Sequence, residues 1–204
     1  MTKSKHGLFT RDSLLSLGAL YLSVFEHPAN RSFFGMLLKK RNGEIMKKPL
    51  PEIVIPKEAA VFFLDEHGYW RHKEQGKFEH RKIINYFHSC IRKDENGYHL
   101  RQRLGDRVEK VYFHYEDTAL FVIDVMKSEE IHLLLNTQKK IILRPRKLFV
   151  IDDNLYVNSG QHRIKFTDNS LVRLWDLLSY EGDDYFITVK GRRYKIRQME
   201  KETL

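Results

Sequence analysis

Apolar positions along the chain follow two periods, and the change from one to the other predicts its elements. Ile83, Ile84, Phe87, Cys90 and Ile91 fall at i, i+1, i+4, i+7 and i+8, the spacing of one buried helical face opened by Arg81. Leu171, Val172, Leu174, Trp175, Leu177 and Leu178 predict a second helix, with Thr167 or Asp168 as its N-cap. Between them, runs rich in β-branched and aromatic residues at 111–115, 120–125, 131–135 and 141–143 predict strands. Near the start, the apolar run 13–25 predicts a helix capped by Thr10 or Asp12 and stopped by Pro28. A shorter amphipathic helix follows over 31–41, where Phe33, Phe34, Leu37 and Leu38 make a stripe and Lys39, Lys40 and Arg41 sit at the C-terminal end. Asn42-Gly43 and the segment Lys47-Lys48-Pro49-Leu50-Pro51 then predict a linker.

The pattern also repeats. Residues 62–100 resemble residues 149–187 at an offset of roughly 87 residues, the kind of period that marks a duplicated supersecondary unit. Asp65 meets Asp152, Tyr69 meets Tyr156, Phe87 meets Trp175, Tyr98 meets Tyr185 and Leu100 meets Ile187. Each copy has an apolar strand, an Asp-rich turn, an aromatic strand, a polar loop, a helix and a turn into a further strand. The expected fold is therefore α+β, with two related strand-strand-helix-strand repeats, antiparallel sheets and an N-terminal helical extension. The expected divisions are an extension at 1–48, a first repeat domain at 49–126 and a second, more β-rich one at 127–204.

Composition sharpens this picture in one respect. With 42% hydrophobic and 31% charged residues among 204, the chain is globular, and its single cysteine favours a reducing, cytoplasmic setting. The net charge of +9 turns the question of partners toward anions, and the excess lies at the two ends rather than in the centre. The run 13–25 is shorter than the roughly 20 residues of a membrane-spanning helix, and the expectation for it is burial in the fold, without membrane contact.

Chemistry-bearing motifs are sparse. His67, His72, His80, His88 and Cys90 are dense but lack metal-ligand spacing, so neither metal nor cofactor is expected. The chain has no Gly-x-Ser-x-Gly elbow and no Gly-x-x-x-x-Gly-Lys phosphate loop. Strand alternation aims the adjacent Glu116 and Asp117 at opposite faces, a poor arrangement for an acid and base pair. In the segment 190–197, the same alternation puts Arg193, Lys195 and Arg197 on one side, a cationic stripe suited to phosphates, with Lys140 and Arg144 in a second basic stretch. A solvated strand face is the plainer account of that stripe.

Asp65, Gly68, Trp70 and His72, then Arg81 opening a helix, then Asp94, Gly97, Tyr98 and Leu100, then Glu109 and the Glu116-Asp117 pair, form a pattern over roughly residues 50 to 197. It resembles an uncharacterised bacterial family, the domain-of-unknown-function family numbered twelve eighty-five. Two places depart from it: Thr118-Ala119-Leu120-Phe121 stands where the family carries Pro and Phe, and Val189-Lys190 replaces a Val-Arg element. The resemblance implies a two-part α+β fold, a role in signalling and no established reaction. It singles out Trp70, His72, Arg81, Glu116 and Asp117 as a candidate set for a small anionic ligand. A stacking ring, an imidazole and a guanidinium are the groups such a ligand needs. In the competing account Trp70 is core and Arg81 pairs with Asp65, Glu79 or Glu116. The expected function is thus a non-enzymatic regulatory or signalling module for a small anionic ligand or a protein partner, with nucleic-acid binding through the basic stretches as the alternative.

Overall fold

The computed structural model describes residues 49–200, Gln75 excepted. The expected extension at 1–48, with its helices over 13–25 and 31–41, lies outside the described residues. These begin with β1 (Glu52–Ile55), a 3₁₀ turn at Lys57–Ala59, and the hairpin of β2 (Phe62–Leu64) and β3 (Trp70–His72). A short β4 (Gly76–Lys77), helix α1 (Arg81–Cys90) and the meander β5 (Ile91–Asp94), β6 (Gly97–Leu104) and β7 (Arg107–Tyr112) follow, closed by β8 (His114–Tyr115). Three strands then intervene, β9 (Phe121–Lys127), β10 (Ile131–Leu135) and β11 (Lys140–Ile142). After a 3₁₀ turn at Pro145–Lys147 come β12 (Leu148–Ile151), β13 (Asn154–Ser159), β14 (His162–Phe166) and helix α2 (Asp168–Val172). A 3₁₀ turn at Trp175–Leu177 leads to β15 (Leu178–Glu181), β16 (Asp184–Val189), β17 (Arg192–Lys195) and β18 (Arg197–Gln198).

The described residues are thus mostly β, with two helices among them, and the α+β expectation is corrected. The second helix is the clearest reason. It ends after five residues because Leu171, Leu174 and Leu177 recur every three positions, the 3₁₀ period, and their backbone bonds follow it: Leu174 N–H donates to Leu171 O and Leu177 N–H to Leu174 O. Leu174 is fully buried, whereas Val172 and Trp175, expected in the same apolar run, are 75% and 78% exposed. The antiparallel expectation is corrected too. Four parallel pairings occur, β1 with β7, β2 with β8, β12 with β18 and β9 with β14.

Strand pairing is the same in the two halves. The order β4-β3-β2-β8 matches the order β14-β13-β12-β18, and the meander β5-β6-β7 matches β15-β16-β17. Ile91 faces Leu100 as Leu178 faces Ile187, and Asp94 faces Gly97 as Glu181 faces Asp184. The first hairpins differ. Residues 65–69 separate β2 from β3, whereas Asp152 and Asp153 alone turn β12 into β13, both at positive φ as a tight hairpin of primed type requires. In consequence Tyr156 lies opposite Phe149 where His72 lies opposite Phe62, so His72 rather than Tyr69 occupies the place of Tyr156.

One seven-stranded sheet, β11-β10-β9-β14-β13-β12-β18, joins the intervening strands to the second copy. Its strand β9 runs through the expected division at 126/127. All four residues of β12 are buried, and Phe149 stacks on Tyr156 at 5.3 Å between ring centroids. In the first copy Trp70 is the core residue. It is fully buried, with Phe87 of α1 at 5.3 Å and Phe113 at 4.9 Å.

Candidate functional site

The loop between β2 and β3 is organised by one carboxylate. Asp65 Oδ1 accepts the N–H of His67 (3.1 Å) and of Tyr69 (2.8 Å), and its Oδ2 accepts Arg71 Nε at 2.7 Å. Glu116, arriving after β8, accepts Glu66 N–H at 3.0 Å. At the loop's tip Gly68 has φ +84°, and a Cβ there would lie 3.0 Å from the ring of Phe121. The backbone at Gly68 can therefore press against the first residue of β9. Asn136 holds that residue in turn, accepting Phe121 N–H at 3.2 Å and donating to Ala119 O at 3.0 Å.

Beside this contact a cleft of about 560 Å³ opens between the first copy and the seven-stranded sheet. Trp70, Phe78, Arg81, Ile84 and His88 form one wall, and Phe121, Ile123, Asn136, Thr167 and Asn169 the other. Lys77, Glu79 and Asn85, with His67, Gly68 and Tyr69 of the β2–β3 loop, complete the lining. Two ring nitrogens in the first wall, Trp70 Nε1 and His88 Nε2, are buried with no hydrogen-bond partner among the described residues. Burial lowers the His88 pKa to about 4, so the imidazole is neutral near pH 7. Arg81 opens α1 in a first turn that holds no acidic residue, and the N-cap His80 makes no side-chain cap bond. The start of that helix borders the same opening, with Arg81 and Glu79 in its lining. Arg81 has no ion pair among the described residues, and it is Arg71 that pairs with Asp65.

The structure divides the sequence-derived set. Trp70 and Arg81 meet in the cleft. His72 and Glu116 line a different depression of about 440 Å³ with Asp65 and Arg71, and His72 meets the Phe62 ring edge-on at 5.0 Å. Asp117 is committed elsewhere. It accepts Tyr156 OH at 2.7 Å, Arg163 Nη2 at 3.0 Å and the buried Lys165 Nζ at 3.1 Å, an ion cluster that fastens the end of the first copy to β13 and β14. Burial, followed by the bond to Asp117, raises the Tyr156 hydroxyl above its ordinary pKa.

The basic residues are also divided. Arg193 pairs with Glu181 and lies 3.8 Å over the Phe186 ring, and Lys195 pairs with Asp184 at 2.6 Å. Arg197 is exposed on β18. Lys140 and Arg144 line a groove of about 480 Å³ with Lys147, and no acidic residue lines it. Among the described residues no group of three or more His, Cys, Asp and Glu side chains is placed to hold a metal ion, and no helix is long and apolar enough to cross a membrane.

Sequence reasoning missed His88 as a cleft residue, and missed the second wall entirely. His88 was visible only as one of several histidines on an amphipathic helix. Asn136 lies in a part of the chain with no motif, and Thr167 was legible only as the N-cap of the second helix.

No protein-family model matches the sequence, and no curated protein matches it. Among solved structures, the chain is similar to a DUF1285 family protein from Silicibacter pomeroyi DSS-3, at 15% identity and a TM-score of 0.49, over 73% of this chain and 84% of that one. It is also similar to a DUF1285 family protein from Shewanella baltica OS155, at 14% identity and a TM-score of 0.42, over 57% of this chain and 91% of that one. Both structural neighbours are proteins of the DUF1285 family, the same family that the pattern from Asp65 to Asp117 resembles.

Proposed function

We propose that this chain is a regulatory, ligand-binding module of the cytoplasm, whose site is the cleft walled by α1 and β9 and whose ligand is a small molecule carrying an anionic group. One observation carries the reading: Trp70 Nε1 and His88 Nε2 are buried and unpartnered in the wall of a cleft that also holds Lys77 and Arg81. Buried polar groups without partners are costly, and a ligand that supplies an acceptor relieves that cost. The helix start and the Arg81 guanidinium suit a phosphate or carboxylate. Binding is favoured over turnover because a histidine with a pKa of about 4 is a weak base at neutral pH. The buried, unbridged Cys90 supports a reducing compartment. Nucleic-acid binding has less support, since Arg193 and Lys195 are already held in ion pairs.

The two tryptophans make the test direct. Trp175 is exposed, so Trp175→Phe leaves the fold intact and Trp70 as the sole indole reporter. Titration of this variant with inorganic phosphate, pyrophosphate and small dicarboxylates is expected to change Trp70 emission saturably with at least one of them. Arg81→Ala should then weaken binding by about tenfold or more, as loss of a charge-assisted contact does. An emission spectrum unchanged by every ligand up to about 10 mM, where even binding weaker than 4 kcal/mol is visible, would overturn the reading.

A further inference from the structure

The two copies differ at one sheet edge. In the first, the outer edge of the meander is covered: β1 adds to β7 in parallel, with Glu52, Ile53, Val54 and Ile55 opposite Val108, Glu109, Lys110 and Val111. Val108 N–H donates to Pro51 O at 2.9 Å, which shows that Val108, Lys110 and Tyr112 turn their backbone groups toward β1. In the second copy the corresponding strand β17 is the last of its sheet, and among the described residues nothing pairs with its outer edge. The segment that stands about one repeat beyond β1 is β11, and it is paired with β10 instead. The backbone edge that β1 pairs in one copy thus carries no ladder partner among the described residues in the other, where the 3₁₀ turn at Pro145–Lys147 lies near β17 without pairing to it.

We infer that the outer edge of β17 is an acceptor for an extended, acidic segment of a partner protein, which adds to it in parallel as β1 adds to β7. The backbone parity agrees. Ile196 N–H donates inward to Tyr185 O at 2.8 Å, so the alternate residues Arg193 and Lys195 turn their N–H and C=O groups outward. These two stand where Lys110 and Tyr112 stand in β7, since Lys110 faces Arg101 as Arg193 faces Thr188. Charge chooses the guest. Where β7 offers Glu109 and Lys110 to β1, β17 offers Arg192 and Arg193, so the residue in the place of Ile53 meets a cation in place of an acid. Arg193 and Lys195 are balanced by Glu181 and Asp184, so the charge left for a guest is that of Arg192, which has no ion pair among the described residues and which repels a basic strand and attracts an acidic one.

The test uses the full chain and a labelled peptide, Leu-Pro-Glu-Glu-Val-Ile-Pro, which is the chain's own segment 50–56 with Glu in place of Ile53. Saturable anisotropy is expected, with amide exchange at Arg193 and Lys195 slowed about tenfold or more while Arg192 and Tyr194, already bonded to β16, stay unchanged. Arg192→Glu should weaken binding about tenfold, and a peptide with Lys for both Glu should not bind. A peptide N-methylated at alternate residues, which keeps its charge and loses its ladder donors, should also fail to bind. The inference is overturned if the acidic peptide does not bind at about 1 mM. Equal binding of the Lys or N-methylated peptide overturns it as well. So does binding of a single-stranded oligonucleotide, lost in Arg192→Glu, with both outward amides exchanging freely throughout.

Discussion

His88 shows how much one buried side chain couples to solution conditions. Unfolded, its imidazole takes up a proton near the ordinary histidine value of about 6.5; folded, burial postpones that to about 4. The unfolded chain therefore binds the extra proton first as the pH falls. Stability from this group is complete above about pH 6.5 and is lost between there and pH 4, by about 3 kcal/mol in all. Urea unfolding of the protein and of His88→Phe at pH 7.5, 5.5 and 4 should give curves that converge toward acid, the variant losing less stability. Parallel curves would show that His88 titrates normally. Little of this was legible from sequence. A histidine at that position satisfies a helical face whether it is buried or not, and only the Trp70 ring, 6.1 Å away between centroids, and the far wall of the cleft decide its surroundings.

Among elements, the contrast between the helices is instructive. Helix α1 was legible because Ile83, Phe87 and Cys90 repeat at helical spacing and are all buried. Helix α2 was not, because an unbroken apolar run matches a period of three as well as 3.6, and the shorter one prevailed. The strand expected over 131–135 is β10, yet the parallel closures by β8 and β18 were invisible, since two residues carry no alternation. So short a helix as α2 depends on its cap. Thr167 Oγ1 accepts Ser170 N–H at 3.3 Å and donates to Val122 O at 3.0 Å, tying the helix start to β9. Thr167→Ala should cost about 1 to 2 kcal/mol in urea unfolding, and Thr167→Ser less than about 0.5 kcal/mol. An equal cost for both would assign the effect to the lost methyl group rather than to the hydroxyl.

For the molecule as a whole, the Asp117 cluster is the joint between the copies. Its side chain is 15% exposed and that of Lys165 is 7% exposed, so removing the carboxylate strands a buried ammonium. Asp117→Ala should lose about 3 to 5 kcal/mol, and adding Lys165→Met should recover much of that loss. A double variant no more stable than the single one would mean that Tyr156 and Arg163 carry the joint. Candidate residues from the sequence sorted themselves at this scale alone. Trp70 and Arg81 came together because β3 and the start of α1 border the same cleft, while Asp117 followed the chain out of the first copy and into its junction with the second.

The unequal hairpin turns bear on a hazard of any chain that contains the same strand arrangement twice. During folding, a strand of one copy can invade the sheet of the other, the domain-swapping error common to repeated folds. Here β3 returns after five loop residues and β13 after two, a difference of three. The register itself is no barrier to such an exchange, since Tyr156 stands opposite Phe149 as His72 stands opposite Phe62. What differs is the connection, and the shorter one closes at the smaller entropic cost. The two-residue turn thus acts as a tether that commits β13 to its own copy before it can stray.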